Sequence, residues 1–292
     1  MIDEHVTAPV RGGSLTAGVW GAGTGEAVLA FHGITASHVS WRAVARSLDG
    51  TRTVIAPDLR GRGGSRELPG PFGMAQHATD AAKLLDFLGI DRVDIVGHSM
   101  GGFVGMRFAA DYPERVRGIT LIDGGVPLPL PTGIPIEKLM KATLGPALAR
   151  LEETYPTRES YRAFWRAHPA FVGEWNEDIE AYVDYDLVGA EPDLRSSASG
   201  VAALADSVEQ GVGTVADEPW SVVKSPITFL RAPRGLLNGP ALYDADYLAG
   251  FVRTRANPTV VEAPDVNHYT ILMTQSGADA VADAIQSAKE PA

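Results

Sequence analysis

Residues 94–113 read DIVGHSMGGFVGMRFAADYP, an apolar run that passes directly into a stretch of helical character. Ser99 stands at the junction, between Gly97 and Gly101, in the pattern G-x-S-x-G. A sharp turn from strand to helix presses its flanking residues against their neighbours, and small residues meet that demand. Such a turn aims the serine hydroxyl out of the sheet, at a helix N-terminus whose amides bind developing negative charge. The stretch predicts a nucleophilic serine on a strand–turn–helix unit.

Short apolar runs of the same kind recur along the chain. They are AVLAFHG (27–33), TVIAPDL (53–59), VDIVGHS (93–99), GITLIDG (118–124), SPITFLRA (225–232) and PTVVEA (258–263). Helix-like segments separate the earlier runs at about 38–48, 75–88 and 101–111, and a last one covers about 269–289. This alternation predicts a parallel sheet with helices on both faces. Residues 6–9 and 15–20, joined by an RGGS turn, predict an antiparallel hairpin at its edge.

The alternation of strand and helix stops between residues 126 and 220. This stretch opens with the proline-rich VPLPLPTGIP and continues with helix-like segments rich in Leu, Tyr, Phe and Trp. We interpret it as a helical cap inserted into the sheet domain. The predicted division is a core domain of residues 1–125 and 221–292, with a cap domain of residues 126–220.

Composition excludes several classes of partner. The 292 residues carry 25 Lys and Arg against 36 Asp and Glu, a net charge of −11 that repels nucleic acid and anionic membranes. The absence of cysteine excludes disulfides, thiolate metal sites and cysteine nucleophiles. The acidic start MIDEHVTAPVRGGS and the lack of a long apolar run indicate neither a signal peptide nor a spanning helix, so we predict a cytoplasmic protein.

A serine nucleophile needs a general base, which the order serine, acid, histidine places late in the chain. His268 meets this requirement in APDVNHYTI, directly after the last predicted strand. The carboxyl ends of parallel strands lie at one edge of a sheet, so His268 and Ser99 are expected there together. We predict His268 as the base.

Four motifs, in order and each at a strand end, resemble those of the α/β-hydrolase superfamily, close to its capped esterase and lipase-like members. They are FHGI (31–34), DLRGRGGS (58–65), GHSMGG (97–102) and NH (267–268). The resemblance implies an α/β-hydrolase fold, with a mostly parallel eight-stranded sheet, helices on both faces and a helical cap insertion.

The same resemblance implies roles for the motif residues. The backbone N–H groups of Ile34 and Met100 would form the oxyanion hole, with His32, Gly33 and His98 supporting these loops.

The motif DLRGRGGS is interpreted as a loop-forming element beside the site. Asp58 and the glycines of the motif would serve the turn, and Arg60 and Arg62 are expected in solvent.

The chain departs from the family pattern at the acid. The family usually places it after the seventh strand, yet Gly235 fills that slot and no carboxylate lies between Pro226 and Tyr243. Either the triad lacks an acid, or the acid has moved to the end of strand six, as in haloalkane dehalogenases and some lactonases of the superfamily. We favour Asp123, which occupies that position and would orient His268. The alternatives are Asp244, Asp246 and Asp265.

These residues predict acyl transfer through an acyl-enzyme on Ser99, with no metal or organic cofactor. The substrate class is a small hydrophobic ester, lactone or related acyl compound, as the aromatic cap suggests. A serine at the elbow excludes the superfamily's dehalogenases and epoxide hydrolases, which use a carboxylate there. The alternatives are a cofactor-free perhydrolase or haloperoxidase-like enzyme, a carbon–carbon bond hydrolase, and a non-catalytic receptor of small ligands. The pattern does not indicate an oligomeric state.

Overall fold

The computed structural model describes residues 4–128, 138, 148–211, 213–255 and 258–287, with the backbone alone at 211 and 213–216. Its strands, in chain order, are β1 (Glu4–Val10), β2 (Gly13–Trp20), β3 (Glu26–Phe31), β4 (Arg52–Pro57), β5 (Val93–His98), β6 (Val116–Ile122), β7 (Leu187–Val188), β8 (Arg195–Ser196), β9 (Ile227–Arg231) and β10 (Thr259–Glu262). Eight of them form one sheet in the order β1-β2-β4-β3-β5-β6-β9-β10. The predicted eight-stranded sheet is therefore present.

Strand directions follow the burial pattern of the sequence. β4 and β5 are buried at every position, as expected of parallel strands covered on both faces. The adjacent strands β4, β3, β5, β6, β9 and β10 of this sheet run parallel to one another, whereas β1 pairs antiparallel with β2 and β2 antiparallel with β4. The hairpin predicted at the sheet edge is confirmed.

The helices of the described residues are α1 (Arg42–Ser47), α2 (Met74–Leu88), α3 (Met100–Asp111), α4 (Arg158–Arg166), α5 (Glu177–Asp186), α6 (Gly200–Gly211), α7 (Gly213–Val222), α8 (Ala245–Arg253), α9 (Thr270–Met273) and α10 (Gln275–Ser287). One buried cluster joins α2, α3 and α8 to the sheet, and a second joins α1, α9 and α10 to it. Helices thus cover both faces, as predicted.

Two predicted helices differ in detail. The segment predicted at 38–48 begins as a short 3-10 turn, His38–Trp41, before α1. The closing helix predicted at 269–289 is divided into α9 and α10, because Thr274 adopts an extended conformation between them. Residues 288–292 lie outside the described residues.

The segment predicted as a cap contains α4, α5 and α6, most of α7, and a two-stranded ladder of β7 and β8 that the pattern did not indicate. Residues 129–137 and 139–147 of it lie outside the described residues, and its boundaries stay a prediction. Within the described part of the chain, no helix has the length and apolarity needed to span a membrane.

Candidate active site

The turn between β5 and α3 holds Ser99 in a strained conformation. Its φ of 54° and ψ of −122° lie in a region that residues other than glycine seldom adopt. The Ser99 N–H donates to the carbonyl of Ile122 at 3.0 Å, which anchors the turn to the end of β6. Ser99 therefore has the backbone geometry of a nucleophile elbow.

Steric contact explains the glycines around Ser99. A Cβ on Gly97 would lie 2.3 Å from the carbonyl oxygen of Gly101, and a Cβ on Gly101 would lie 2.0 Å from that of Phe31. On the other side, a Cβ on Gly124 would lie 2.4 Å from the Cα of Ser99. Since real contacts are not that short, this backbone excludes any side chain at these three positions.

His268 and Asp123 come together beside this turn. Nδ1 of His268 lies 2.6 Å from Oδ2 of Asp123, and both side chains are almost completely buried. Oδ1 of Asp123 accepts a hydrogen bond from the N–H of Ala232 at 3.3 Å, just beyond the end of β9. His98 fixes the histidine from behind, because its Nε2 lies 2.7 Å from the carbonyl oxygen of His268.

The other candidate acids have different surroundings. Asp244 is exposed and caps α8, where its Oδ1 accepts from the N–H groups of Asp246 and Tyr247. Asp246 is exposed on the first turn of that helix. The Asp265 side chain is 90% exposed and pairs with Arg234. Of the four acids considered, the structure brings Asp123 alone into contact with the His268 ring.

The residues predicted for the oxyanion hole border Ser99. Met100 is the first residue of α3, so its N–H is among those without an acceptor inside the helix. A Cβ on Gly33 would lie 3.4 Å from the Cβ of Ser99, which places the Gly33–Ile34 backbone beside the serine.

His32 and His98, the two histidines predicted to support these loops, are buried, and each contacts a backbone carbonyl oxygen. His32 bridges two loops, with Nδ1 2.7 Å from the Gly33 carbonyl oxygen and Nε2 accepting from the N–H of Leu59. Burial lowers the pKa of His32 to about 3. Burial is the main cause that lowers the pKa of His98 well below its usual value, and the charge of His268 is the second. Both rings are neutral at pH 7 and act through hydrogen bonds.

Two small cavities, each of about 30 Å³, adjoin the site. Both are bordered by Ile34, Ser99, Leu236 and His268. The first extends over Asp123, Phe103, Gly124, Leu128, Gln210, Leu242 and Tyr243; the second extends over Gly33, Thr35, Ala36, Ser40, His98, Tyr182, Tyr269 and Met273. The serine and the histidine thus lie between two mainly apolar spaces.

The expectation that Arg60 and Arg62 lie in solvent is wrong, because both side chains are fully buried. Arg60 pairs with Asp80, and Arg62 pairs with Asp206 at 2.6 Å. Arginines beside glycines are typical of a polar loop, and nothing local in the sequence marks Asp206 on α6 as a partner.

Several cavity residues were also missed. Leu236, Leu242 and Gln210 come from parts of the chain that carry no motif, and their position becomes evident only in the folded chain. Among the described residues, no group of three or more His, Asp or Glu side chains could hold a metal ion.

Comparison with known proteins supports the fold. Residues 26–162 match the family model for the alpha/beta hydrolase fold. An uncharacterized protein of Mycobacterium tuberculosis is 42% identical over 104 residues, which cover 36% of this chain and 30% of that protein. The 2-hydroxy-6-oxo-2,4-heptadienoate hydrolase of Pseudomonas putida is 34% identical over 139 residues, which cover 46% of this chain and 50% of that enzyme. The matches span half or less of these relatives.

A solved structure is similar over nearly the whole chain. The crystal structure of E-2-(acetamidomethylene)succinate hydrolase has a TM-score of 0.78 and 23% identity, and the alignment covers 97% of this chain and 100% of that chain. At this identity the similarity concerns the fold, and it confirms the predicted fold class.

Proposed function

We propose that this member of the alpha/beta hydrolase superfamily is a serine hydrolase that cleaves small carboxylic esters or lactones through an acyl-enzyme. The observation that carries the proposal is the buried pair of His268 and Asp123, 2.6 Å apart, beside Ser99 on its strained turn. A carboxylate on Nδ1 holds the imidazole in the tautomer whose other nitrogen removes a proton from serine. This combination is the chemistry of acyl transfer.

In this mechanism the Ser99 oxygen attacks the substrate carbonyl carbon while His268 takes the hydroxyl proton. The tetrahedral oxyanion is bound by the N–H groups of Ile34 and Met100, donors that need no reorganisation during the reaction. His268 returns the proton to the leaving oxygen, and the acyl group stays on Ser99. Water activated by His268 then releases the acid and restores the serine.

The cavities favour a small substrate. Each space of about 30 Å³ holds roughly two water molecules, which limits the length of the acyl group that either space can take. Their mainly apolar walls favour short alkyl groups over charged ones. We therefore propose acetyl to butyryl esters, or lactones of similar size, as the best substrates.

The test is hydrolysis of p-nitrophenyl esters from acetate to decanoate, with γ-butyrolactone measured separately by pH-stat. Ser99→Ala abolishes turnover and labelling by a fluorophosphonate if the proposal is right. Ser40→Ala is the matched control, since Ser40 borders the second cavity but its hydroxyl donates to the Ser37 carbonyl at 2.8 Å. Turnover that survives Ser99→Ala overturns the proposal.

A carbon–carbon bond hydrolase is the second candidate function. The observation that favours it is the match with the 2-hydroxy-6-oxo-2,4-heptadienoate hydrolase of Pseudomonas putida. Its test is the loss of absorbance of a ring-cleavage product of that class, measured beside the esters. A higher kcat/KM for that compound than for every ester would favour this candidate.

The remaining alternatives have their own readouts. Peracid formed from acetate and peroxide would indicate a perhydrolase, and binding of a hydrophobic ligand without turnover or labelling would indicate a receptor. The cytoplasmic location and the lack of a cofactor stay predictions.

A further inference from the structure

We propose that Arg62 is a positioning residue of the oxyanion hole, which holds the Ile34 segment against Ser99 from the buried side of the loop. The inference rests on the proposed function, since it assigns Arg62 a part in stabilising the oxyanion of acyl transfer.

Arg62 touches both residues whose amides bind the oxyanion in the proposed mechanism. Its Nε donates to the carbonyl oxygen of Ile34 at 2.9 Å, and its Nη2 lies 3.9 Å from the sulfur of Met100. The side chain is 0% exposed, so water does not compete for these contacts. A planar guanidinium fixes several partners at once in one geometry, which a lysine cannot do.

The peptide units on the two sides of Ile34 are both anchored. The preceding unit, which carries the Ile34 N–H, is held at its oxygen by His32 Nδ1 and by the N–H of Ala36. The following unit is held at its oxygen by Arg62. Removal of the guanidinium therefore frees rotation on one side of the residue that presents the donor.

A buried guanidinium stays in place only if its charge is compensated. Asp206 of α6 supplies this charge at 2.6 Å from Nη1 of Arg62. Asp206 is itself fixed, because it accepts from the N–H of Gly73 at 2.7 Å and contacts His77 Nε2 at 3.0 Å. A continuous series of buried polar contacts thus links Asp206 on α6, through Arg62, to the backbone of Ile34.

A second buried cation holds the next carbonyl of the same loop. Nη2 of Arg150 donates to the Thr35 oxygen at 3.3 Å, and Arg150 pairs with Asp186. Both aspartates belong to the segment predicted as the cap. The two successive carbonyls of Ile34 and Thr35, beside the proposed oxyanion donor, are therefore each held by an arginine that pairs with a buried aspartate.

Arg60 provides a control, because it lies in the same loop as Arg62, residues 58–65. It is equally buried, and its Nε lies 2.9 Å from a carboxylate oxygen of Asp80. Its other bonds go to the carbonyls of Arg11 and Pro69, remote from the residues around Ser99. Loss of either arginine removes the guanidinium partner of a buried aspartate, but of the two arginines only Arg62 contacts Ile34 and Met100.

The experiment compares Arg62→Met, Arg62→Lys and Arg60→Met with the parent chain. It measures kcat and KM for p-nitrophenyl acetate, the inhibition constant of butylboronic acid, which forms a tetrahedral adduct on serine, and unfolding in urea. Both Met variants are expected to lose stability. Arg62→Met is expected to lose about 10- to 100-fold in kcat and in boronate affinity, with KM within about threefold, because the donor is misplaced and not removed.

Arg62→Lys keeps the charge near Asp206 but not the planar fork, so it is expected to fold and still to lose kcat. If Arg62→Met does not fold, the kcat and boronate affinity of Arg62→Lys decide the test. Equal losses of kcat and boronate affinity in Arg60→Met and the Arg62 variants overturn the inference and leave the serine hydrolase standing. A parent chain that neither hydrolyses esters nor reacts with a fluorophosphonate overturns the proposed function, and the inference with it.

Discussion

Nδ1 of His268 lies 2.6 Å from Oδ2 of Asp123, although 145 positions separate the two residues in the chain. Asp123 follows β6 and His268 follows β10, and β9 lies between these strands in the sheet. Just beyond β9, where the superfamily usually places its acid, the chain offers the N–H of Ala232 to Asp123. The carboxylate beside His268 thus comes from the end of β6, and the chain after β9 donates a hydrogen bond to it.

Asp123→Asn tests the relocated acid. An amide in place of the carboxylate no longer fixes the His268 tautomer, so kcat is expected to fall by about 10⁴-fold with KM little changed. The measurement is steady-state hydrolysis of p-nitrophenyl acetate, with circular dichroism to confirm folding.

The matched control is Asp265→Asn, which changes a candidate acid whose side chain is 90% exposed. Its kcat is expected to stay within about twofold of the parent, since an exposed ion pair contributes little. Loss of activity in Asp265→Asn with retention in Asp123→Asn would show that the acid is misassigned.

Gly101→Ala tests the steric basis of the elbow. The added Cβ would lie 2.0 Å from the Phe31 carbonyl oxygen, so β3 and the turn must separate. We expect a loss of about 3 kcal/mol or more in the free energy of unfolding, measured in urea.

Gly200→Ala is its control, because a Cβ there meets nothing within 4 Å. At the first position of α6 this change is expected to be neutral or to stabilise by up to about 1 kcal/mol. Similar losses in both variants would contradict the steric explanation.

The strand runs and the motif positions were sufficient to predict the sheet, the elbow and the placement of His268, because these depend on local pattern and on parallel strand direction. The position of Asp123 could be predicted for the same reason, since it ends a predicted strand. The burial of Arg62 could not be predicted from the sequence, because it depends on cover by α6 and on Asp206, which no local pattern connects to the loop of Arg62. The ladder of β7 and β8 was missed because two residues per strand give no periodicity.

Tyr185→Phe tests the contact between α5 and the loop after β4. The Tyr185 hydroxyl donates to Oδ2 of the buried Asp58 at 2.6 Å and accepts from the Gly64 N–H at 3.1 Å. Hydrogen bonds to a charged group contribute about 1.5–3 kcal/mol, so we expect a loss of that size in the free energy of unfolding.

Tyr155→Phe is the control, since the buried Tyr155 hydroxyl has no hydrogen-bond partner among the described residues. Removal of an unsatisfied polar atom is expected to be neutral or stabilising. A loss in Tyr155→Phe as large as that in Tyr185→Phe would contradict the assigned contacts.

The buried histidines predict acid sensitivity. Burial lowers the pKa of His32 to about 3, and burial with the charge of His268 lowers that of His98, from the ordinary value of 6.5. Below pH 6.5 the unfolded chain takes up protons that these folded rings exclude, so stability falls as the pH falls. Each ring contributes up to about 1.4 kcal/mol per pH unit, in a window that for His32 extends from 6.5 down to about 3.

Urea unfolding between about pH 6.5 and 5 measures this slope above the range in which the lowered pKa values of Asp58 and Asp206 matter. His98→Gln removes one of the two rings while its amide can still donate to the His268 carbonyl, so its slope is expected to be lower by up to about 1.4 kcal/mol per pH unit. His5→Gln, at an exposed position, is expected to change the slope much less. If His98→Gln keeps the parent slope, His98 carries a proton in the folded chain and its neutral role beside His268 is wrong.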